Sequence, residues 1–596
     1  MIKLAHFSIK EYLMSDDLLR RAASFFHFTA EISHSLIAQT CLAYLLQFDT
    51  HTFISLDQVI QSSPLAEYAA DYWIFHAHNG GIEKSEPSWL FRLTLRLFTP
   101  KSAQFMNWVK MYERSEQYMK HDDDAMPLYI ASEASLVQVL EHLLKTERDV
   151  NIKGGKYGNA LQAASFHGHE VIVKLLLEKG AEVNAQGGYY RNALQAASSG
   201  GHEVIVKLLL EKEADVNAQG GYYGNAFQAA SSGGHEVIVK LLLEKEADVN
   251  AQGGYYGNAL QAASSGGHEV IVKLLLEKGA DVNAQGGHYG NALQAASSCG
   301  HVVIVKLLLE EGADVNAQEE FHGNALQAAS FYGHEVIVKL LLEKGADVNA
   351  QGQCHGNALQ AASSCGHEVI VKLLLEKRAD VNAQGGHYGN ALQAASSWGH
   401  EVIVKLLLEK GADVNAQEQI YGNALQVASS GGHKVIVKLL LEKGADVNAQ
   451  RGHYGTALQA ASSCGHEEIV KLLLENGADV NAQGGHYGNA LQAASSYGHE
   501  VIVKLLLEKG ADVNAQEGFH GNALQAASFY GHEVIVKLLL EKGADVNAQG
   551  VHYGNALQAA SSYGHVVIVK LLLEEGADVN AQGEFYGNAL QAVQAL

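Results

Sequence analysis

The residues of this chain with most scope for chemistry are 30 histidines, five cysteines and one Gly154-Gly155-Lys156-Tyr157 run. Zinc sites use histidines at i, i+4 with a further ligand, disulfides and metal clusters use cysteine pairs, and a phosphate loop ends in Lys and a hydroxyl. None of these patterns is present. Most histidines, such as His169, His202 and His235, recur once per repeat beside glycine, where a role in a turn is sufficient. Cys299, Cys365 and Cys464 share one slot in different repeats, and Cys41 and Cys354 have no partner by spacing. The Gly-Gly-Lys-Tyr run lacks both the spacing and the Ser or Thr that would reach magnesium. With no nucleophile–base pair and no carboxylate dyad in the pattern, the chain is expected to be no enzyme and to need no cofactor or metal.

What positions these residues is a repeat. Between Asn159 and Gly587 one 33-residue sentence recurs thirteen times, close to N-A-L-Q-A-A-S-x-x-G-H-E-V-I-V-K-L-L-L-E-K-G-A-D-V-N-A-Q-G-G-x-Y-G. A fixed period of that length marks a solenoid, in which each unit buries its apolar face only against its neighbours. The net charge of -23 is spread along the array at about one negative charge per repeat. It argues against nucleic acid, which needs a basic track, and against an anionic membrane surface. No apolar run has membrane-spanning length and the first residues lack a signal-peptide pattern, so a reduced, cytoplasmic setting is expected.

Within one unit the local signals are clear. Asn159 is a good helix cap, with Gln162 placed to complete a capping box. A short helix with small residues Ala163 and Ala164 ends at Gly168-His169. A second runs from Glu170 to about Lys179, with Ile172, Val173, Leu175 and Leu176 at core spacing. Gly180 is the expected stop, and Val183 to Gly188 reads as a hairpin-like finger.

The period, G-H and I-V-K-L-L-L-E-K-G-A-D-V-N-A strongly resemble the ankyrin repeat. The resemblance implies an all-α solenoid of helix-turn-helix units with hairpin fingers, with a small helical region ahead of it. The family's T-P-L-H is here N-A-L-Q, in which Asn caps, Gln can replace His as hydrogen-bonding partner, and the first-turn proline is given up. Met126-Pro127-Leu128-Tyr129 opens a diverged first unit, so fourteen full units run from Met126 to Gly587. The expected division is a helical segment over 1–120, the array over 121–587 and a partial terminal repeat over 588–596.

Two windows vary between repeats: the residues after Ala-Ala-Ser at the end of the first helix, and the finger tip. In the ankyrin family these windows line a concave groove that meets protein partners. The richest stretches give the candidate partner-binding residues Phe321, Phe331, Tyr332, His387, Tyr388, Trp398, His486, Tyr497, Phe519, Phe529, Tyr530, His552 and Tyr563. Large aromatic side chains carry much of the energy of protein interfaces. Gly200, Gly233 and Gly266 predict a smoother surface in the first full repeats. Val171, Val204, Val237 and their equivalents form a stripe on the second helix that offers a weaker case for lateral self-association.

Ahead of the array, Leu4 to Leu13, Ile37 to Leu46 and Leu65 to Ala70 resemble the segment joining a NACHT nucleotide-binding module to ankyrin repeats in fungal NOD-like receptors of the STAND type. Helices are expected from His34 to Phe48 and from Pro64 to His78, with Leu45-Leu46 and Tyr72-Trp73-Ile74-Phe75 as apolar faces of a small helical core and Pro87 and Pro100 punctuating the rest. The expected function is a protein-interaction scaffold, the ligand-sensing arm of such a receptor or a fragment of one. The alternatives are a STAND NTPase whose phosphate loop lies upstream of Met1 and a constitutive structural tether.

Overall fold

A computed structural model of the chain describes residues 29–49, 63–82, 88–113, 126–146, 149–319, 323–418, 421–486, 488–516, 521–550 and 554–581. These residues form 32 helices and, beyond isolated bridges, no strand, in two compact units that meet in sequence at Ala292 and Leu293. The all-α expectation holds. Leu4 to Leu13 and residues 588–596 lie outside the described residues.

In the first unit four helices precede the repeats: α1 (Ala30–Leu45), α2 (Ala66–Asn79), α3 (Trp89–Leu97) and α4 (Ala103–Glu113). The first two lie close to the stretches read from the sequence. α1 starts four residues earlier because the Thr29 hydroxyl accepts the Ile32 amide at 3.1 Å and sets the helix start there. α3 and α4 were not anticipated, since Pro87 and Pro100 read as punctuation. Pro100 stands ahead of α4 rather than inside a helix, where the missing N–H is harmless, and Pro87, which precedes α3 in sequence, lies outside the described residues. Ser88 caps α3 through the Phe91 amide at 3.1 Å.

These helices close on an aromatic core. Trp73, Phe98, Phe105 and Trp108 pack with ring centroids 5.3 to 6.1 Å apart, largely edge to face, the arrangement the ring quadrupoles favour. The Trp108 indole N–H donates to the Ala70 carbonyl at 3.2 Å. Of Tyr72-Trp73-Ile74-Phe75, read as a core segment, only Trp73 is buried, and Tyr72 and Phe75 face outward. At the far end of α2, His78 Nε2 meets the Ala134 carbonyl at 2.7 Å, which joins this region to the first helix pair, α5 (Met126–Glu133) and α6 (Val137–Thr146).

From Met126 onward the described chain is a run of helix pairs. α7 (Ala160–His167) and α8 (Glu170–Glu178) are typical. The Asn159 side chain accepts the Gln162 amide at 2.9 Å, and in the pair beginning at Asn258 the Gln261 oxygen returns the bond to the cap's own N–H at 3.1 Å. Ala160, Ala163 and Ala164 are buried, so successive first helices approach closely. Ile172, Val173 and Leu176 on α8 are fully buried, whereas Leu175, counted with the core by spacing, is half-buried. Gly168 ends α7 in the left-handed conformation at φ 78°.

The second helix is also followed by a left-handed residue, Gly180 at φ 89° in this unit. A Cβ at Gly180 or Gly279 would meet nothing within 4 Å, so a side chain there costs backbone strain alone. Glu213, Glu246 and Arg378 occupy that slot at φ 62°, 62° and 64°. Left-handed backbone costs an L-residue roughly 1–2 kcal/mol, partly offset because glycine loses more entropy on folding. Glu213→Gly, Glu246→Gly and Arg378→Gly are each expected to raise the urea midpoint, by about 0.5–1 kcal/mol of stability. Unchanged or lowered midpoints in all three would show that this strain is absent.

Candidate binding surface

Three polar side chains per repeat, a buried glutamine, an exposed asparagine and a half-buried histidine, reach into the neighbouring structure. The Gln162 amide donates to the Ala185 and Arg191 carbonyls in the finger that follows, at 3.1 and 2.9 Å. In the second unit Gln327 repeats the pattern on Ala350 and Gly356, at 2.8 and 2.7 Å. Asn184 accepts the Asp215 amide at 2.8 Å and donates to the Glu213 carbonyl at 3.2 Å. The recurrent histidine reaches backward, from His202 Nε2 to the Phe166 carbonyl at 2.7 Å and from His367 to Phe331 at 2.9 Å. A carbonyl only accepts, so Nε2 carries the proton in each. The histidine that looked like a turn residue within one repeat is therefore a tie between repeats.

The fingers are joined directly at their tips. Gly187 and Arg191 form a bridge across one finger, and the same bridge recurs at Gly154 and Gly158 around the Gly-Gly-Lys-Tyr run. That run is a finger turn. From finger to finger, the Tyr255 amide donates to the Tyr222 carbonyl and the His288 amide to the Tyr255 carbonyl, both at 2.7 Å. The rings follow the backbone. Tyr189, Tyr222, Tyr255 and His288 stack at 5.3, 5.1 and 4.8 Å. A second column, Tyr157, Tyr190, Tyr223, Tyr256 and Tyr289, stacks at 5.9 to 6.4 Å. Burial, aided by neighbouring phenols, pushes the Tyr222 hydroxyl up to about 12. The sequence reading placed a smooth surface in this first unit; the glycine helix ends agree, but the columns were not read, and the doubled tyrosines are the sequence signal that marks them.

The second unit differs at the ends of its first helices. Tyr332, Trp398, Tyr497, Tyr530 and Tyr563 occupy one slot and are 47% to 56% exposed. Four of these rings lie nearly parallel to the tied histidine of their own repeat, as Tyr563 does to His565 at 6.5 Å and 13°. Phe331 is half-buried against the His355 ring at 4.2 Å, and Phe529 against Tyr563 at 4.2 Å. Tyr388 meets Trp398 edge-on at 6.4 Å, which brings finger and helix end onto one face. His387 is exposed and bonded at Nε2 to the Tyr421 hydroxyl at 2.8 Å. His486 stacks on His453 at 4.9 Å. Phe321, Phe519 and His552 lie outside the described residues. On the second helices the valine stripe is exposed, Val171 by 61% and Val336 by 57%.

Compared with known families, the chain matches the model described as "Ankyrin repeats (3 copies)" in overlapping stretches: 102–187, 186–253, 227–319, 260–352, 326–418, 391–484, 425–517 and 490–583. The chain is an ankyrin-repeat protein. It is also 37% identical over 194 residues to the azaphilone pigments biosynthesis cluster protein L of Monascus ruber. That alignment takes in 29% of this chain and 40% of the relative, so the chain spans well under half of that protein. Among the described residues no helix is long and apolar enough to cross a membrane, and no group of three or more His, Cys, Asp or Glu could hold a metal ion.

At the start of the ankyrin array the tie has a titratable consequence. Burial pushes His169 below its ordinary value of 6.5, partly countered by its bond to the Glu133 carbonyl at 2.9 Å, with His167, His78 and His202 nearby. The His167 ring also lies 3.7 Å from the Glu133 carboxylate. The folded chain thus binds a proton at His169 less readily than the unfolded chain. Its contribution is complete above about pH 6.5 and is lost as the pH falls below that value. The urea midpoint is expected to drop between pH 7.5 and 5.5, and His169→Gln, which keeps a donor but cannot titrate there, is expected to flatten that slope. An identical slope in the variant would assign the pH dependence to other groups.

Proposed function

We propose that this ankyrin array is a protein-binding scaffold whose partner lies along the fingers and first-helix ends of the second unit. The observation that carries the reading is the row Tyr332, Trp398, Tyr497, Tyr530 and Tyr563, each about half exposed at one repeated slot. Exposed rings at these positions add nothing to the buried core, and rings of this kind concentrate the energy of interfaces. The array is non-catalytic in this reading and its setting is the cytoplasm.

The finer proposal is the ligand-sensing arm of a NOD-like receptor, with a helical segment over 1–120, the array over 121–587 and a partial repeat over 588–596. It rests on the likeness of the first 80 residues to a post-NACHT segment, of which Ile37 to Leu46 falls largely in α1 and Leu65 to Ala70 at the start of α2. The Monascus relative's name ties that protein to a pigment cluster and speaks to neither reading. A constitutive tether differs from a sensor in holding its partner without a stimulus.

Replacing Tyr332, Trp398, Tyr530 and Tyr563 together by Ala is expected to abolish partner capture in pull-downs while leaving the circular dichroism spectrum unchanged. Retained capture by a folded quadruple variant would sink the groove reading.

A further inference from the structure

The chemistry of the partner follows from where charge and aromatics coincide. The first helices carry almost no charge, and in the consensus second helix with the lysine that follows it two Glu offset two Lys, so the surplus negative charge lies in the loops and fingers. In the first unit the fingers at 154–155, 187–188, 220–221, 253–254 and 286–287 all open on Gly-Gly, and three of its first helices end in glycine. In the second unit the same finger positions include Glu319 and Glu418 and a single base, Arg451, and its helix ends carry the exposed rings. Acidic fingers and exposed aromatics therefore arrive together, in one unit.

At one place they form a continuous strip. The exposed Trp398 indole meets Tyr388 at 6.4 Å, Tyr388 meets His387 at 5.1 Å, and His387 bonds the Tyr421 hydroxyl at 2.8 Å. The Tyr421 amide in turn donates to a Glu418 carboxylate oxygen at 2.9 Å. The strip thus crosses two successive fingers, from an indole face to a carboxylate. Arg451 stands in the next finger, whose backbone carbonyl takes the Gln426 amide at 3.1 Å, and it bounds the strip on that side.

A planar cation suits both ends of this arrangement. Guanidinium pairs with carboxylate through two parallel bonds and also lies flat on aromatic rings, whereas ammonium offers a point charge only. A phosphate-bearing or acidic ligand is repelled. We propose that the second unit takes an arginine-bearing extended polypeptide segment along the strip from Trp398 to Glu418, with guanidinium groups stacking on the exposed rings and pairing with the finger carboxylates. The proposal rests on the groove reading above and names its partner class.

The test uses the full chain and a labelled 12-residue peptide of alternating Arg and Gly, followed by fluorescence polarisation at 150 mM salt, with Lys-Gly and Gln-Gly peptides as controls. The Arg peptide is expected to bind, the Lys peptide more weakly and the Gln peptide not at all. Trp398→Ala, at an exposed position, and Glu418→Gln, at a half-buried one whose amide oxygen still accepts the Tyr421 amide, are each expected to weaken Arg-peptide binding about fivefold or more, a shift of ~1 kcal/mol. Arg-peptide binding untouched by Trp398→Ala would be diffuse attraction of a polycation to an acidic chain and would overturn the proposal. Gln-Gly binding as tight as Arg-Gly, but lost in Trp398→Ala, would overturn the arginine assignment and leave the groove reading standing. If no peptide binds while partner capture still depends on the four aromatics, the arginine assignment again falls alone. Failure of both the peptides and the capture would remove both readings.

Discussion

The fold depends on hydrogen bonds that no helix pair can complete by itself. Each described repeat from Asn159 onward buries a glutamine whose amide must find carbonyls in the next finger, as Gln261 does on Ala284 and Gly290 at 3.0 and 2.8 Å. Each finger asparagine accepts an amide about 31 residues ahead, and each described tie histidine donates to a carbonyl 36 residues behind, as Asn448 does for Asp479 at 2.7 Å and His433 for Ser397 at 3.0 Å. A buried polar group left without its partner costs roughly 1–3 kcal/mol, so the buried glutamine above all, and the half-buried histidine less, discriminate between a stacked and an isolated repeat, while the exposed asparagine adds direction more than energy. Apolar burial supplies the gross driving force, while the polar ties fix the register in which one pair meets the next. This explains why Gln, Asn and His are among the least varied letters of the sentence.

The same ties set the geometry at the fingers. Packed helices sit about 8–10 Å apart, whereas tip rings in the first unit stack near 5 Å and tip amides bond the preceding tip directly. Neighbouring repeats therefore come closer at their tips than packed helices do. Aromatics at the tips become part of the packing between repeats, with their faces turned to each other. Those at the first-helix ends keep about half their surface in contact with solvent. Two windows that vary alike in sequence thus have different physical duties.

That difference marks the limit of what could be read without coordinates. The period, both helices, the Asn159 cap and the Gly168 and Gly180 stops follow from local chemistry, and all were legible. The histidine was not, because its partner lies 36 residues away and only the stacking of one repeat on another brings the two together. The first-unit tyrosine columns went unread for a related reason: the variable tip residues Tyr189 and Tyr222 are exposed, as their variation suggested, but their stacking on each other, and that of Tyr190 beside them, appears only when one repeat lies on the next. α3 and α4 were missed because prolines were read as breaks without asking which side of a helix start they occupied. At the candidate surface, the exposure of Tyr332, Trp398, Tyr497, Tyr530 and Tyr563 was anticipated from their slot, whereas the parallel histidine behind four of them was not.

A scaffold tied at fixed letters leaves other slots free to change at little cost to the fold, and the outer face shows how locally such changes are absorbed. Lys434 stands where other repeats carry Glu or Val, and Glu468 stands where they carry Val. The two departures fall in adjacent repeats and meet as an ion pair at 3.1 Å, with Lys471 also 3.1 Å from the same carboxylate. Lys471 first and Lys434 second hold the Glu468 carboxyl below its ordinary value. All three side chains are open to solvent, so the pairing adds little to stability. It compensates two changes within one step of the array and leaves Ile469, Val470 and Leu473 in the core untouched. The exposed rings and acidic fingers of the second unit follow the same logic. Each occupies a slot that the ties do not use, so a binding surface could be written there without rewriting the fold that carries it.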